Sequence, residues 1–198
     1  MEKKVIKNNK VFVLNDEGVR QMFIYRDGYL VVNQLINADV IVFTGGSDVN
    51  PKLYDEPCHP TTSFDLFRDQ REEKVYQYAL SEGKNMVGIC RGGQFLNVMN
   101  KGKLWQDVDK HAISGTHRAK DIIHDVDVNV TSTHHQMMRP NLDKGIVFLT
   151  AALTTRVADG WGNKKLNGPD IEGVWYPDTK CICYQPHPEY SVKDGEHE

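Results

Sequence analysis

The sequence predicts a three-layer α/β fold with a mostly parallel central sheet. Three observations predict it. Short apolar runs end in turn residues, as buried parallel strands do; segments of helical periodicity alternate with those runs; and the second half changes to successive strand-like segments. The last feature indicates an antiparallel excursion in the second half of the sheet. The alternation of strand and helix is typical of flavodoxin-like proteins.

The first half alternates between strands and helices. The apolar runs that predict strands are at residues 11–14, 40–43 and 86–89. Residues 69–81 have apolar side chains at helical spacing, and Gly83 is expected to end that helix. Residues 93–99 predict another helix directly behind the third strand.

The second half predicts strands at residues 126–130, 146–149, 171–175 and 181–184. Cys181 and Cys183 fall on one face of the last of these, where we expect them to be small core residues. Cys58 lies in a predicted loop. The four cysteines therefore do not require a disulfide framework, and a reducing, cytoplasmic compartment is expected.

Length and composition predict one soluble domain spanning residues 1–198. The hydrophobic content of 39% and the charged content of 26% are those of a globular protein. The net charge of −3 gives no electrostatic case for nucleic acid or an anionic membrane as a partner. No apolar run is long enough to span a bilayer, and the first residues lack the apolar stretch of a signal peptide.

A candidate nucleophile follows the strand at residues 86–89. Gly88-Ile89-Cys90-Arg91-Gly92 leads directly into a helix, which is the cysteine form of a nucleophile elbow. Small residues two positions either side of Cys90 allow strand and helix to approach closely. The free N–H groups at the helix start favour a thiolate and can bind an oxyanion. The alternative is that Cys90 is a small buried core residue.

A candidate base follows the strand at residues 181–184. A cysteine nucleophile needs a histidine to accept its proton, and the histidine benefits from a carboxylate that fixes its tautomer. Gln185-Pro186-His187-Pro188-Glu189 supplies both groups on a loop that its prolines stiffen. The alternative is a surface His-Pro turn. The catalytic hypothesis requires the fold to bring His187 to Cys90.

The chain resembles class I glutamine amidotransferases and, within that superfamily, the γ-glutamyl hydrolase branch. The resemblance covers residues 39–190 in the family's order. The shared residues are Thr44-Gly45-Gly46-Ser47-Asp48-Val49-Asn50-Pro51, Leu53-Tyr54, Arg68-Asp69, Glu72, Gly88 to Gln94, Asn97-Val98, Leu104, Gln106-Asp107, Ser132-Thr133-His134-His135-Gln136, Ile171-Glu172-Gly173 and Gln185 to Glu189. Residues 1–38 match poorly and look shortened, Asn100-Lys101-Gly102 replaces an expected pair of glycines, and residues 161–170 form a polar insertion.

The resemblance implies roles for further residues. In the family, two backbone N–H groups form the oxyanion hole. The resemblance assigns them here to Gly46, in the Gly45-Gly46 loop, and to Arg91, the residue after the nucleophile. The two glycines alone indicate only a turn. Gln94, one helical turn after Cys90, is expected to hold the glutamyl part of the substrate; the alternative is a solvated helix residue. This chemistry requires no metal, nucleotide or other cofactor.

Polar residues elsewhere have less defined roles. We interpret His134-His135-Gln136 as a loop on the substrate side, so that His134 and His135 are candidate substrate contacts. Asp48 is a further candidate substrate contact or a cap of the turn before Pro51. Adjacent histidines on an extended segment point to opposite faces, and no third ligand is found at ligand spacing, so no metal site is expected.

Two interpretations are open for Arg68, Asp69 and Glu72. These residues either form a helix N-terminal charge pair or contribute to the site. The sequence does not distinguish the two.

The candidate nucleophile and base, together with the resemblance, imply a hydrolase that cleaves a γ-glutamyl amide, either glutamine or a γ-glutamyl amine, through a γ-glutamyl thioester on Cys90. The first alternative is a glutaminase subunit that delivers ammonia to a separate synthetase chain, since nothing here resembles a nucleotide-binding synthetase domain. The second is an inactive binding or regulatory relative.

Overall fold

The computed structural model describes residues 9–26, 28–151, 155–158, 163–165 and 168–192. Its strands are β1 (Asn9–Val13), β2 (Tyr29–Val31), β3 (Val40–Phe43), β4 (Asn85–Ile89), β5 (Lys103–Trp105), β6 (Ala112–Asp121), β7 (Val126–Thr133), β8 (Met137–Arg139), β9 (Ile146–Ala151), β10 (Arg156–Ala158), β11 (Asn163–Lys165), β12 (Asp170–Tyr176) and β13 (Cys181–Tyr184). Its α-helices are α1 (Glu17–Ile24), α2 (Leu66–Ser81) and α3 (Arg91–Met99).

Nine strands form one sheet in the order β2-β1-β3-β4-β13-β12-β9-β6-β7. The strands from β2 to β13 pair in parallel, and those from β13 to β7 pair antiparallel. The predicted α/β fold with an antiparallel excursion in the second half is therefore confirmed. Strands β5 and β8, and β10 and β11, form two separate two-stranded sheets.

Helices cover both faces of the parallel half. On β3, Ile41 and Phe43 join the core cluster that includes α2 and α3, whereas Val42 joins the cluster that includes α1. This alternation follows from the two-residue period of a strand. The sheet and the helices on its two faces are the predicted three layers. The predicted core residues Cys181 and Cys183 are fully buried against α3, and Cys58 is exposed; all four cysteines are free thiols.

Most predicted elements occur, with different ends. The predicted strands at residues 40–43 and 181–184 match β3 and β13. Helix α2 begins three residues before the predicted residue 69, because the side chain of Asp65 accepts hydrogen bonds from the N–H groups of Phe67 and Arg68. Residues 1–8 and 27 of the poorly matching first segment, and 159–162 and 166–167 in and beside the predicted insertion, lie outside the described residues.

The helices of the described part are short. Helix α1 was not predicted, although Asp16 caps it through the N–H of Val19. The longest, α2, has 16 residues. No helix in the ranges that the structure describes has the length and apolarity needed to cross a membrane.

Candidate active site

Cys90 occupies a strained turn between β4 and α3. Its φ of 51° lies in the left-handed region, where residues with a side chain are uncommon. A Cβ atom on Gly88 would collide with the backbone of Gly92, and one on Gly92 would collide with the backbone of Phe43. Glycine at these two positions is therefore required for α3 to pack onto the sheet. This is the geometry expected of a nucleophile elbow.

His187 lies beside Cys90 because β4 and β13 are neighbouring parallel strands. The N–H of Cys90 donates a hydrogen bond of 2.8 Å to the carbonyl of Tyr184, the last residue of β13. A Cβ atom on Gly45 would lie 2.9 Å from Cε1 of His187 and 3.8 Å from Cβ of Cys90. The two side chains thus meet over Gly45, at the carboxyl ends of the parallel strands.

Glu189 and Thr131 fix the orientation of His187. Nδ1 of His187 lies 2.6 Å from Oε1 of Glu189, so that Nε2 is left for Cys90. The hydroxyl of Thr131 accepts a 2.6 Å hydrogen bond from the His187 N–H and lies 3.2 Å from the His187 carbonyl, to which it donates. The ring of Tyr190 stacks on the imidazole at a centroid distance of 4.7 Å.

The environment of His187 favours the imidazolium. Burial alone lowers the pKa of this histidine, but hydrogen bonds to Cys90 and Glu189 outweigh burial and raise the pKa to about 10. A positive imidazole between a sulfur and a carboxylate is the arrangement of a thiolate–imidazolium pair. The geometry is therefore suited to a cysteine nucleophile.

A buried ion network holds the residue after Cys90. The Arg91 guanidinium is paired with the carboxylates of Asp69 and Glu72, and all three side chains are buried. Nε of Arg68 lies 2.8 Å from Oε1 of Glu72. The Arg68, Asp69 and Glu72 group is thus more than a surface charge pair at a helix start, because it anchors the side chain of Arg91.

The Gly45-Gly46 loop packs against the same network. Gly46 has a φ of 136°, which favours glycine, and a Cβ atom there would collide with the Arg68 guanidinium. Nη2 of Arg68 donates a 2.9 Å hydrogen bond to the carbonyl of Thr44. The turn that sequence alone indicated is therefore held in a defined conformation next to the elbow.

Gln94 is buried, so the alternative of a solvated helix residue is wrong. Its Nε2 donates to the carbonyl of Gln136 at 3.1 Å and to Oε1 of Gln185 at 3.2 Å. These contacts connect α3 to the segment after β7 and to the segment that carries His187. A role for Gln94 in substrate binding remains an expectation.

The remaining candidates are His134, His135 and Asp48, and the two histidine rings have different partners. Nε2 of His135 lies 3.1 Å from Oδ1 of Asp48, and this hydrogen bond, against burial, raises the pKa of His135. Asp48 also accepts a 2.8 Å hydrogen bond from the Ser63 N–H, whereas the turn at Pro51 is capped by Asn50. His134 is buried, and its Nε2 lies 3.5 Å from Oε1 of Glu172, whereas the His135 ring contacts Asp48.

Sequence reasoning missed a cluster of buried titratable side chains. His111, His117 and Glu172 place one potential ligand atom each within 4.8 Å of one another. No metal site was expected, because no third ligand follows His134 and His135 at ligand spacing in the sequence. The fold instead brings His117 on β6, and His111 beside it, to Glu172 on β12. The available signal was Glu172 itself, an acidic residue inside an apolar strand segment that needs a buried partner.

The chain is similar to glutamine amidotransferases in sequence. The family model described as Peptidase C26 matches residues 1–158. YvdE of Lactococcus lactis, whose name describes it as glutamine amidotransferase-like, is 31% identical over 179 residues, covering 80% of this chain and 69% of that protein. The matched residues of the family model include Cys90 and end before His187.

Solved structures show the same fold. A glutamine amidotransferase from Thermotoga maritima superposes with a TM-score of 0.63 at 14% identity, covering 92% of this chain and 76% of that one. A protein of Thermoplasma acidophilum whose name describes part of a GMP synthase gives a TM-score of 0.56 at 15% identity, covering 92% and 85%. The family and the relative from Lactococcus lactis indicate a hydrolase-type, glutamine amidotransferase-like enzyme. The chain belongs to the peptidase C26 family, with the class I glutamine amidotransferase fold.

Proposed function

We propose that this protein hydrolyses a γ-glutamyl amide bond through a covalent γ-glutamyl thioester on Cys90. The observation that carries the proposal is the contact between Cys90, in a strained elbow, and His187, whose other ring nitrogen lies 2.6 Å from Glu189. The substrate class is either glutamine or a glutamylated amine, as in the branch that the sequence resembles.

In this mechanism Cys90 is the nucleophile and His187 moves the proton. The thiolate attacks the γ-carboxamide carbon, and a carbon–sulfur bond forms as the carbonyl becomes an oxyanion. The His187 imidazolium then donates its Nε2 proton to the departing nitrogen, and the carbon–nitrogen bond breaks. Water attacks the thioester, gives its proton back to His187, and releases the glutamate γ-carboxyl group with regeneration of the thiolate pair.

The oxyanion of both steps is assigned to the backbone N–H groups of Gly46 and Arg91. The N–H of Arg91 is at the start of α3, where the first amides of a helix have no partner within the helix. The buried Asp69 and Glu72 carboxylates that hold Arg91 support a fixed position for this donor. The loss of one such donor in other enzymes costs about 3–4 kcal/mol of transition-state stabilisation.

Transfer of ammonia to a separate synthetase chain is the alternative use of the same residues. It is favoured by the name of the relative from Thermoplasma acidophilum, which describes one component of a synthase. The two functions differ in one observable property. A free-standing hydrolase turns over γ-glutamyl amides alone, whereas the glutaminase component of a synthetase releases little ammonia until its partner is added.

The proposal is tested by labelling with a glutamine-derived chloroketone, followed by intact mass measurement. Wild-type protein is expected to gain one adduct, and excess glutamine is expected to slow its formation. Cys90→Ser should gain none. Cys58→Ser is the matched control, because Cys58 is the exposed thiol most open to unspecific alkylation. This variant should label as the wild type does.

Labelling that survives in Cys90→Ser but disappears in Cys58→Ser would contradict the proposal. Absence of any adduct would favour an inactive binding or regulatory relative. A panel of γ-glutamyl amines with glutamine as reference then identifies the leaving amine, with release of amine and glutamate as the measurement.

A further inference from the structure

Three histidines and one glutamate lie together in the antiparallel half of the sheet. Glu172 is on β12 and His117 is on β6, while His111 and His134 directly adjoin the ends of β6 and β7. All four side chains are buried, and His111 and Glu172 have no exposed surface. The proposed mechanism uses none of them.

Three ring nitrogens converge on Oε1 of Glu172. The distances are 3.1 Å from Nδ1 of His111, 3.4 Å from Nε2 of His117 and 3.5 Å from Nε2 of His134. Nevertheless, both Glu172 carboxylate oxygens and Nε2 of His117 and His134 lack a hydrogen-bond partner within the described residues. A buried polar group left unpaired destabilises the folded state, so four such atoms at one point need an explanation.

The opposite ring nitrogens explain why ordinary hydrogen bonds fail here. Each one lies at an oxygen of another residue: His111 Nε2 at 3.1 Å from Asp170, His117 Nδ1 at 3.2 Å from the Arg118 carbonyl, and His134 Nδ1 at 2.8 Å from the Gln136 carbonyl. Carbonyl and carboxylate oxygens only accept, so these nitrogens carry the hydrogen. In a neutral ring the nitrogen that faces Glu172 then presents a lone pair to a carboxylate.

We propose that His111, His117 and Glu172, whose ligand atoms all lie within 4.8 Å of one another, bind a divalent transition-metal ion, with zinc as the best-fitting metal. Lone pairs that converge in a buried space are satisfied by a cation at their centre. Imidazole nitrogen and carboxylate oxygen are zinc ligands at about 2.0–2.2 Å, which places tetrahedral neighbours about 3.3 Å apart. The distances from Oε1 of Glu172 to Nδ1 of His111 and to Nε2 of His117, 3.1 and 3.4 Å, match that spacing.

The outer contacts also fit a metal centre. Histidines that bind metals donate their other ring N–H to a carboxylate or a backbone carbonyl, and the rings of His111 and His117 both do so here. Asp170 is itself held by the hydroxyl of Thr155, which donates to its Oδ2 at 2.5 Å. A surface cluster of acidic side chains would not show this ordered second layer.

The metal's role is structural. The cluster is closed to solvent, and it joins β6, β7 and β12 behind the candidate active site. Ser132 donates to the carbonyl of His111 at 2.6 Å, and the preceding residue, Thr131, holds the backbone of His187. The carbonyl of Glu172 accepts from the N–H of Gln185 at 2.8 Å. A bound ion would therefore stabilise the segments that position His187.

The test is the metal content of the protein, produced without a polyhistidine tag. The protein is grown or refolded with zinc and then dialysed to remove weakly bound metal. Wild type is expected to retain about one zinc ion per chain and to unfold at a lower temperature after treatment with a strong chelator. His117→Gln should lose the ion. His124→Gln is the matched control, because that histidine has a 72% exposed side chain and should leave metal content unchanged.

The proposal would be overturned if folded wild-type protein held no zinc, manganese, iron, cobalt, nickel or copper after exposure to each. That result would indicate protonated histidines instead. If His117→Gln does not fold, X-ray absorption of the wild type decides. A shell of nitrogen and oxygen at about 2.0–2.1 Å with imidazole scattering supports the site. A sulfur-containing shell overturns it.

Discussion

Arg91 forms an ion pair with Glu72 in the interior of the protein, one residue after Cys90 and beneath the Gly45-Gly46 loop. Burial of charge without a partner is costly, so this pair and the second carboxylate, Asp69, depend on each other. The charge network therefore stabilises the backbone that carries the elbow.

Removing one member of this network should destabilise the fold. Glu72→Gln leaves Arg91 with a single buried carboxylate, and we expect a loss of about 3–5 kcal/mol in the free energy of unfolding, measured by urea denaturation. Glu73→Gln, an exposed neighbour on α2, should change it by less than about 0.5 kcal/mol. The double variant Glu72→Gln with Arg91→Met should lose less than the sum of the single changes. Strict additivity would contradict the coupling.

The sequence was sufficient for the parts of the fold that depend on local pattern. Strand β3 is a continuous apolar segment with three of its four residues buried, and β13 alternates buried cysteines with the exposed Ile182. Both were predicted with their observed ends. The two candidate catalytic segments were found because each directly follows such a strand. Helix α1 was not predicted, because its eight residues give only two buried apolar positions, Val19 and Met22.

Long-range contacts outside the Cys90–His187 pair were not predicted from the sequence. Glu172 was noticed as a shared residue but given no role, because its partners His111 and His117 lie beside and on β6, far from β12 in the sequence. The burial of His134 was likewise hidden, since an isolated His-His sequence does not show which ring faces the core. The position of Arg91 between Asp69 and Glu72 depends on α2 crossing the start of α3.

Thr131 should act as a positioning residue for His187. Thr131→Val removes the hydroxyl that accepts from the His187 N–H at 2.6 Å, and we expect kcat to fall on the order of tenfold with little change in KM. Thr131→Ser keeps the hydroxyl and should restore most of the rate. A loss of kcat in Thr131→Ser, with the wild-type kcat in Thr131→Val, would show that the methyl group, not the hydrogen bond, matters.

The pKa of His187 should define the basic limit of activity. Because Cys90 and Glu189 raise this pKa to about 10, the imidazolium that protonates the leaving nitrogen persists well above the ordinary histidine range. The profile of kcat/KM against pH is expected to fall only near pH 10, and Glu189→Gln should move that limb to lower pH. A basic limb near 6.5 in the wild type would contradict the ion pair.

The same shift predicts how stability depends on pH. The folded pKa of His187 lies above the unfolded value of 6.5, so its contribution is complete below about pH 6.5 and is lost as the pH rises through about 10. The free energy of unfolding of the wild type should exceed that of His187→Gln at pH 6, and the difference should shrink towards pH 10. A difference that grows with pH would reverse the assigned sign.

The central claim is that a γ-glutamyl group becomes attached to Cys90 during turnover. Acid quenching of wild-type protein during reaction with a γ-glutamyl amide, followed by peptide mass analysis, measures this directly. We predict the added mass of one γ-glutamyl group on the peptide that contains Cys90, and none in Cys90→Ser, which should also lose turnover. Undiminished turnover in Cys90→Ser, or an acyl group found only on another residue, would contradict the account.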